Sequence, residues 1–120
     1  MTVTGIGGLF FRSVDPDARA AWYREHLGIA AGHDGIWQQE AGMTVFAPFA
    51  EDSDYFPADQ SFMLNLRVSD IESLVISLAA AGIAVERRDE WTATEYGTFA
   101  RIHDPEGLPI ELWEPPLAAE

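Results

Sequence analysis

Two segments of this chain follow one plan. Residues 8–29, "GLFFRSVDPDARAAWYREHLGI", and residues 63–83, "MLNLRVSDIESLVISLAAAGI", each begin with an apolar stretch holding one Arg. Each then passes Ser or Asp into a helical run and ends at Gly-Ile. A repeated strand–helix opening restricts the fold to two like units. Neither unit buries a sheet alone, because its helix covers only one face.

The helix signals are specific. Asp15 suits an N-cap and Pro16 the first helical position, with Ala20, Tyr23 and Leu27 as the stripe and Gly28 as the stop. In the second copy Ser69 and Glu72 fit a capping box. There Ile71, Leu74, Val75 and Leu78 form the stripe, and Gly82 closes it. Strand-like pieces follow each helix, at about 29–33, 35–40 and 43–49, then at 83–91, 97–103 and 109–114. The expected fold class is therefore α+β, with two β-α-β-β-β modules whose curved sheets face a shared cavity and whose helices lie outside. At 120 residues the chain reads as one domain, with module 1 over about 4–50, an acidic linker over 51–60 and module 2 over 61–116.

Composition narrows the function. The formal net charge is −13, which repels phosphate backbones and argues against a nucleic-acid partner. Cysteine is absent, so disulfides and thiolate metal sites are excluded. With no signal-peptide pattern and no membrane-length apolar run, a cytoplasmic location and no membrane partner are expected. P-loop, dinucleotide-binding and H-E-x-x-H patterns are missing, and Glu51, Asp52 and Asp54 lack EF-hand spacing.

The segments "DPDARAAWYREHLGI", "NLRVSDIESL" and "YGTFARIHDPEGLPIELWEP" resemble the vicinal oxygen chelate superfamily, which includes glyoxalase I, bleomycin-resistance proteins and extradiol dioxygenases. The resemblance implies one metal ligand from the first strand and one from the last strand of each module. Carried over by position, these fall on Gly8, Phe46, Met63 and Glu111. Gly and Phe side chains offer no donor, and Met sulfur suits hard divalent ions poorly. No cofactor is expected, a divalent metal being the alternative.

Strand alternation supplies a second, independent list. If the hairpin folds about "DPEGLP", Ile102 faces Ile110 and Arg101 faces Glu111. Phe99, Arg101, His103, Glu111 and Trp113 then share the cavity face, opposite the helix side. The same rule sends Phe10 and Arg12, and Met63, Asn65 and Arg67, toward the cavity. Arg101 and Glu111 read either as a cross-strand pair or, with His103, as pocket lining. Arg12 and Arg67 either turn inward or reach water at their strand ends. Turned inward, the guanidinium groups suit an anionic or planar polar ligand. Phe10, Phe46, Trp113 and Tyr96 offer aromatic walls. His26 and His33 read as surface residues.

The function expected is binding of a small molecule, anionic or aromatic, without metal, by a bleomycin-resistance-like protein. Exposed edges suggest a homodimer. The alternative is a metal-dependent lyase or isomerase of glyoxalase type, using Glu111 with ligands such as His103 or Gln38. A third reading keeps Glu111 or His103 as a general base without metal.

Overall fold

The computed structural model describes residues 2–29 and 36–116. Helix α1 spans Pro16–Leu27, strand β1 Leu64–Arg67, helix α2 Ile71–Ala80, strand β2 Thr98–His103 and strand β3 Pro109–Glu114. The strands form one sheet in the order β1-β3-β2, with β1 parallel and β2 antiparallel to β3.

Local chemistry explains the helices. The Asp15 carboxylate accepts from the Ala18 amide at 3.2 Å, Pro16 opens α1, and Gly28 takes the left-handed conformation that ends it. Helix α2 starts one residue later than a Ser69 cap requires. Its N-cap is Asp70, which accepts from both the amide and the hydroxyl of Ser73. Glu72 does not close a capping box; it pairs with Arg87 at 2.9 Å.

Ile71 and Leu78 of α2 and Tyr23 of α1 pack on Ala100, Ile102, Ile110 and Leu112, with Leu64, Leu66, Leu74 and Val75 at the margin. Burying each large aliphatic side chain contributes roughly 1.5–3 kcal/mol. Ala20 is exposed, so the inward face of α1 is built on Arg19 and Tyr23 instead.

Helix α1 is tied to the β2–β3 turn by a buried polar clasp. Arg19 donates to the Asp104 carboxylate at 2.7 Å, and Tyr23 donates to the same oxygen at 2.8 Å. The other Asp104 oxygen accepts from the amides of Glu106 and Leu108. Burial opposes the Asp104 charge, but these hydrogen bonds prevail and hold its carboxyl below the usual range. The Arg19 guanidinium also reaches the Arg12 carbonyl at 2.8 Å and Glu106 at 3.3 Å.

The two halves differ in strand content. In the second half, the expected strands at 97–103 and 109–114 are present, while 83–91 is reduced to a bridge between Glu86 and Arg101 and a 3-10 turn at Asp89–Trp91. Glu86, Arg87, Arg88, Asp89 and Glu90 are five successive charged residues, which end any apolar alternation. In the first half, no strand forms among the described residues at 8–12, 36–40 or 43–49. Gln38, Gln39 and Glu40 leave neither face apolar, and Pro48 removes a ladder donor. The strand expected at 29–33, like His33, lies almost wholly outside the described residues. The observed architecture is thus a mixed α/β fold with a three-stranded open sheet and two helices.

Candidate functional site

Strand register sets the site. On β3, Ile110 and Leu112 face the helices and Glu111 faces the other way. Across the ladders Asn65 pairs with Glu111, and Glu111 with Arg101, so three polar residues form one rung over three strands. The expected Ile102–Ile110 and Arg101–Glu111 registers are both present.

Register, however, does not make an ion pair. Ion pairs among the described residues join Arg19 to Asp104 and Glu106, His26 to Glu25, Arg87 to Glu72 and Arg88 to Glu86; Arg101 and Glu111 form none. Glu111, only 8 % exposed, accepts instead from the Asn65 amide at 2.7 Å and from the Tyr55 hydroxyl. Burial, then the Glu111 hydrogen bond and charge, push the Tyr55 phenol up to about 12.

Arg101, 9 % exposed, stands between aromatic rings. Its guanidinium carbon lies 4.7 Å from the Tyr55 ring centre and 5.6 Å from that of Trp91. One terminal nitrogen approaches the Met63 sulfur at 3.5 Å, a weak acceptor. Its Nε is buried with no hydrogen-bond partner. A buried cation with an unsatisfied donor costs free energy, and such a group calls for an acceptor.

Of the residues expected to line the cavity, Met63, Asn65, Arg101 and Glu111 are brought together here. Trp113 is buried beside them on the same face; it stacks on Phe99 and donates to the Tyr96 carbonyl at 2.7 Å. The others lie elsewhere. His103 is exposed at the end of β2. Phe10 and Phe46 are 94 % and 88 % exposed, because the first-half segments that carry them do not join the sheet. Arg12 borders a shallow cleft of about 210 Å³ with Phe11, Arg19 and Phe62. Arg67 donates to the Glu40 carbonyl at 2.8 Å and to the Met43 carbonyl, so it holds the "EAGM" turn. A Cβ on Gly42 would lie 2.6 Å from the Arg67 guanidinium carbon. His26 is partly covered by Trp22.

Two site residues escaped the sequence reading. Tyr55 falls in the acidic stretch read as a linker, and Trp91 in a stretch read as strand. The available signal for Tyr55 was Phe49, Tyr55 and Phe56 within a polar run. Their rings now meet at 5.8 and 5.5 Å.

Glu111 is not joined by a set of metal-ligating side chains among the described residues. Among the described residues no three His, Asp or Glu side chains come close enough together to share an ion. Glu111 is the lone carboxylate of the rung, beside a phenol and an amide. Gln38 is exposed and Phe46 is turned to water. Nor is any helix of the described residues long and apolar enough to cross a membrane.

Residues 8–113 match the family described as Glyoxalase-like domain. Among solved structures, the chain is similar to TnmS3, "an antibiotic binding protein from Streptomyces sp. CB03234". The two share 23 % identity over 97 % of this chain and 99 % of TnmS3, with a TM-score of 0.64. SMU.1112c is 35 % identical over 61 % of this chain and 54 % of its own, with a TM-score of 0.39. No curated protein matches the chain.

Proposed function

The chain belongs to the family of glyoxalase-like domains, and from that premise we propose that it is a small-molecule-binding protein working without a metal. The observation that carries this reading is Arg101: a buried guanidinium between two aromatic rings, with an unpartnered Nε and no carboxylate paired to it. A planar molecule bearing an acceptor would satisfy it. The likeness to an antibiotic-binding protein supports the same reading.

The ligand proposed is aromatic with an anionic or polar substituent. The aromatic surroundings of Arg101 take the ring system, and the guanidinium takes the substituent. The three arginines do not act together in this proposal, since Arg67 is committed to backbone carbonyls. We also propose a homodimer, supported by the exposure of Val3, Phe10, Val45 and Phe46.

A thermal-shift panel tests the function. Aromatic compounds bearing a polar substituent, phenols among them, should raise the melting temperature in buffer containing EDTA, and aliphatic amines should not. A panel in which stabilisation appears only on adding divalent metal would reject the proposal in favour of the lyase reading.

A further inference from the structure

Tyr55 is the only residue from outside the sheet that hydrogen-bonds to Glu111 among the described residues. Its side chain makes two contacts that a ligand would make. The phenol donates to Glu111, and the ring lies against the Arg101 guanidinium. Yet its backbone is not part of the sheet. The Tyr55 amide bonds to the Ser53 hydroxyl at 3.2 Å, and the Ser53 amide to the Ala50 carbonyl at 3.0 Å. These bonds are internal to the segment, so lifting it breaks no ladder hydrogen bond. Segments held by few long-range bonds open at low cost.

Resting on the binding function proposed above, we infer that Tyr55 occupies the place of the ligand's own ring, and that the ligand is a hydroxylated aromatic which displaces it. The chemistry follows from what is left when Tyr55 departs. Glu111 keeps the Asn65 donor and loses its hydroxyl donor. An ionised carboxylate accepts only, so a carboxylate or phosphate cannot replace the phenol there, whereas an aromatic hydroxyl can. The Arg101 face is vacated at the same time and takes the incoming ring. The unpartnered Nε of Arg101 offers one further donor to an acceptor on that ring system.

Displacement has a signature opposite to that of a tyrosine that lines the site. A lining residue contributes contacts, and its removal weakens binding. A stand-in competes, and its removal strengthens binding, because the competent state is then fully populated. The test is isothermal titration of wild type, Tyr55→Phe and Tyr55→Ala with 2-naphthol, 2-methoxynaphthalene and 2-naphthoate, each protein's fold being checked by its melting curve. The expected result is that 2-naphthol binds Tyr55→Ala at least about tenfold more tightly than wild type, as one charge-assisted hydrogen bond no longer has to be exchanged. Tyr55→Phe keeps the ring and frees Glu111, so it should gain severalfold, and it decides the matter if the alanine variant does not fold. The hydroxyl-capped 2-methoxynaphthalene should fall well below 2-naphthol. If 2-naphthol binds wild type as tightly as both variants, or more tightly, Tyr55 is a wall and the inference fails while the binding function stands. Equal binding of the capped and free compounds overturns it as well. If none of the three compounds binds any of the three proteins, the binding function itself falls.

Discussion

Arg101 and Glu111 face each other across two strands, both buried, and yet each is satisfied by someone else or by no one. Glu111 draws on neutral donors, and the Arg101 charge rests on rings. The Tyr55 phenol therefore reports directly on the site. Its folded value of about 12 lies above the ordinary 10, so between those values the unfolded chain binds fewer protons than the folded one. Stability contributed by this group is complete below pH 10 and declines as pH rises toward 12. Absorbance at the phenolate band should show a step near pH 12 that Tyr55→Phe removes. Glu111→Gln should move the step down, since a neutral amide repels the phenolate less. The Arg101–Glu111 register was legible in the sequence, because alternation about "DPEGLP" permits one pairing. The missing ion pair was not legible, because alternation fixes which face a side chain leaves from and says nothing of which rotamer it adopts. Tyr55 was hidden for a related reason: its contact with Glu111 spans 56 residues, and no local pattern encodes it.

Elements are held to one another by few, specific ties. The Arg19–Asp104–Tyr23 clasp joins α1 to the β2–β3 turn, and its members are buried. Asp104→Asn should cost on the order of 3 kcal/mol, because it removes the nearer carboxylate of the buried Arg19 and leaves only Glu106, at 3.3 Å, as its counter-charge. The sign of the acid response follows from the lowered Asp104 pKa. Its contribution is present above the unfolded carboxylate value and is lost as pH falls through the folded one. Urea denaturation at several acidic pH values should show a flatter dependence in Asp104→Asn than in wild type. Just before β2, Gly97 has φ near +116°, and a Cβ there would meet the Glu114 carbonyl at 2.2 Å. Gly97→Ala should therefore destabilise by about 2–4 kcal/mol and disturb Trp113, measurable as a lower melting temperature with altered tryptophan emission. Helix α1 was legible from its cap and stop, as was the stripe of α2. The clasp was not, since an Arg one turn before Tyr23 on a polar helix looks like any solvated residue.

At the scale of the whole molecule, the halves are unequal. The second half carries the sheet and most of the core, while the first contributes α1 and extended segments with exposed Phe10, Val45 and Phe46. The repeat was visible as two matching openings, but a repeated opening does not guarantee repeated strands when polar runs and Pro48 follow it. If those segments are covered by a second copy, light scattering should give twice the 13.2 kDa chain mass, and Phe46→Glu should shift the species toward monomer. A monomer at every concentration would remove the dimer from the account. The central claim, that the Arg101–Glu111 face is a metal-free binding site, is tested most directly by titrating 2-naphthol in EDTA into wild type, Arg101→Met and Arg67→Ala. Wild type should bind, Arg101→Met should lose at least about tenfold in affinity, and Arg67→Ala should stay within about threefold of wild type. Undiminished binding by Arg101→Met, or binding that EDTA abolishes, would contradict the claim.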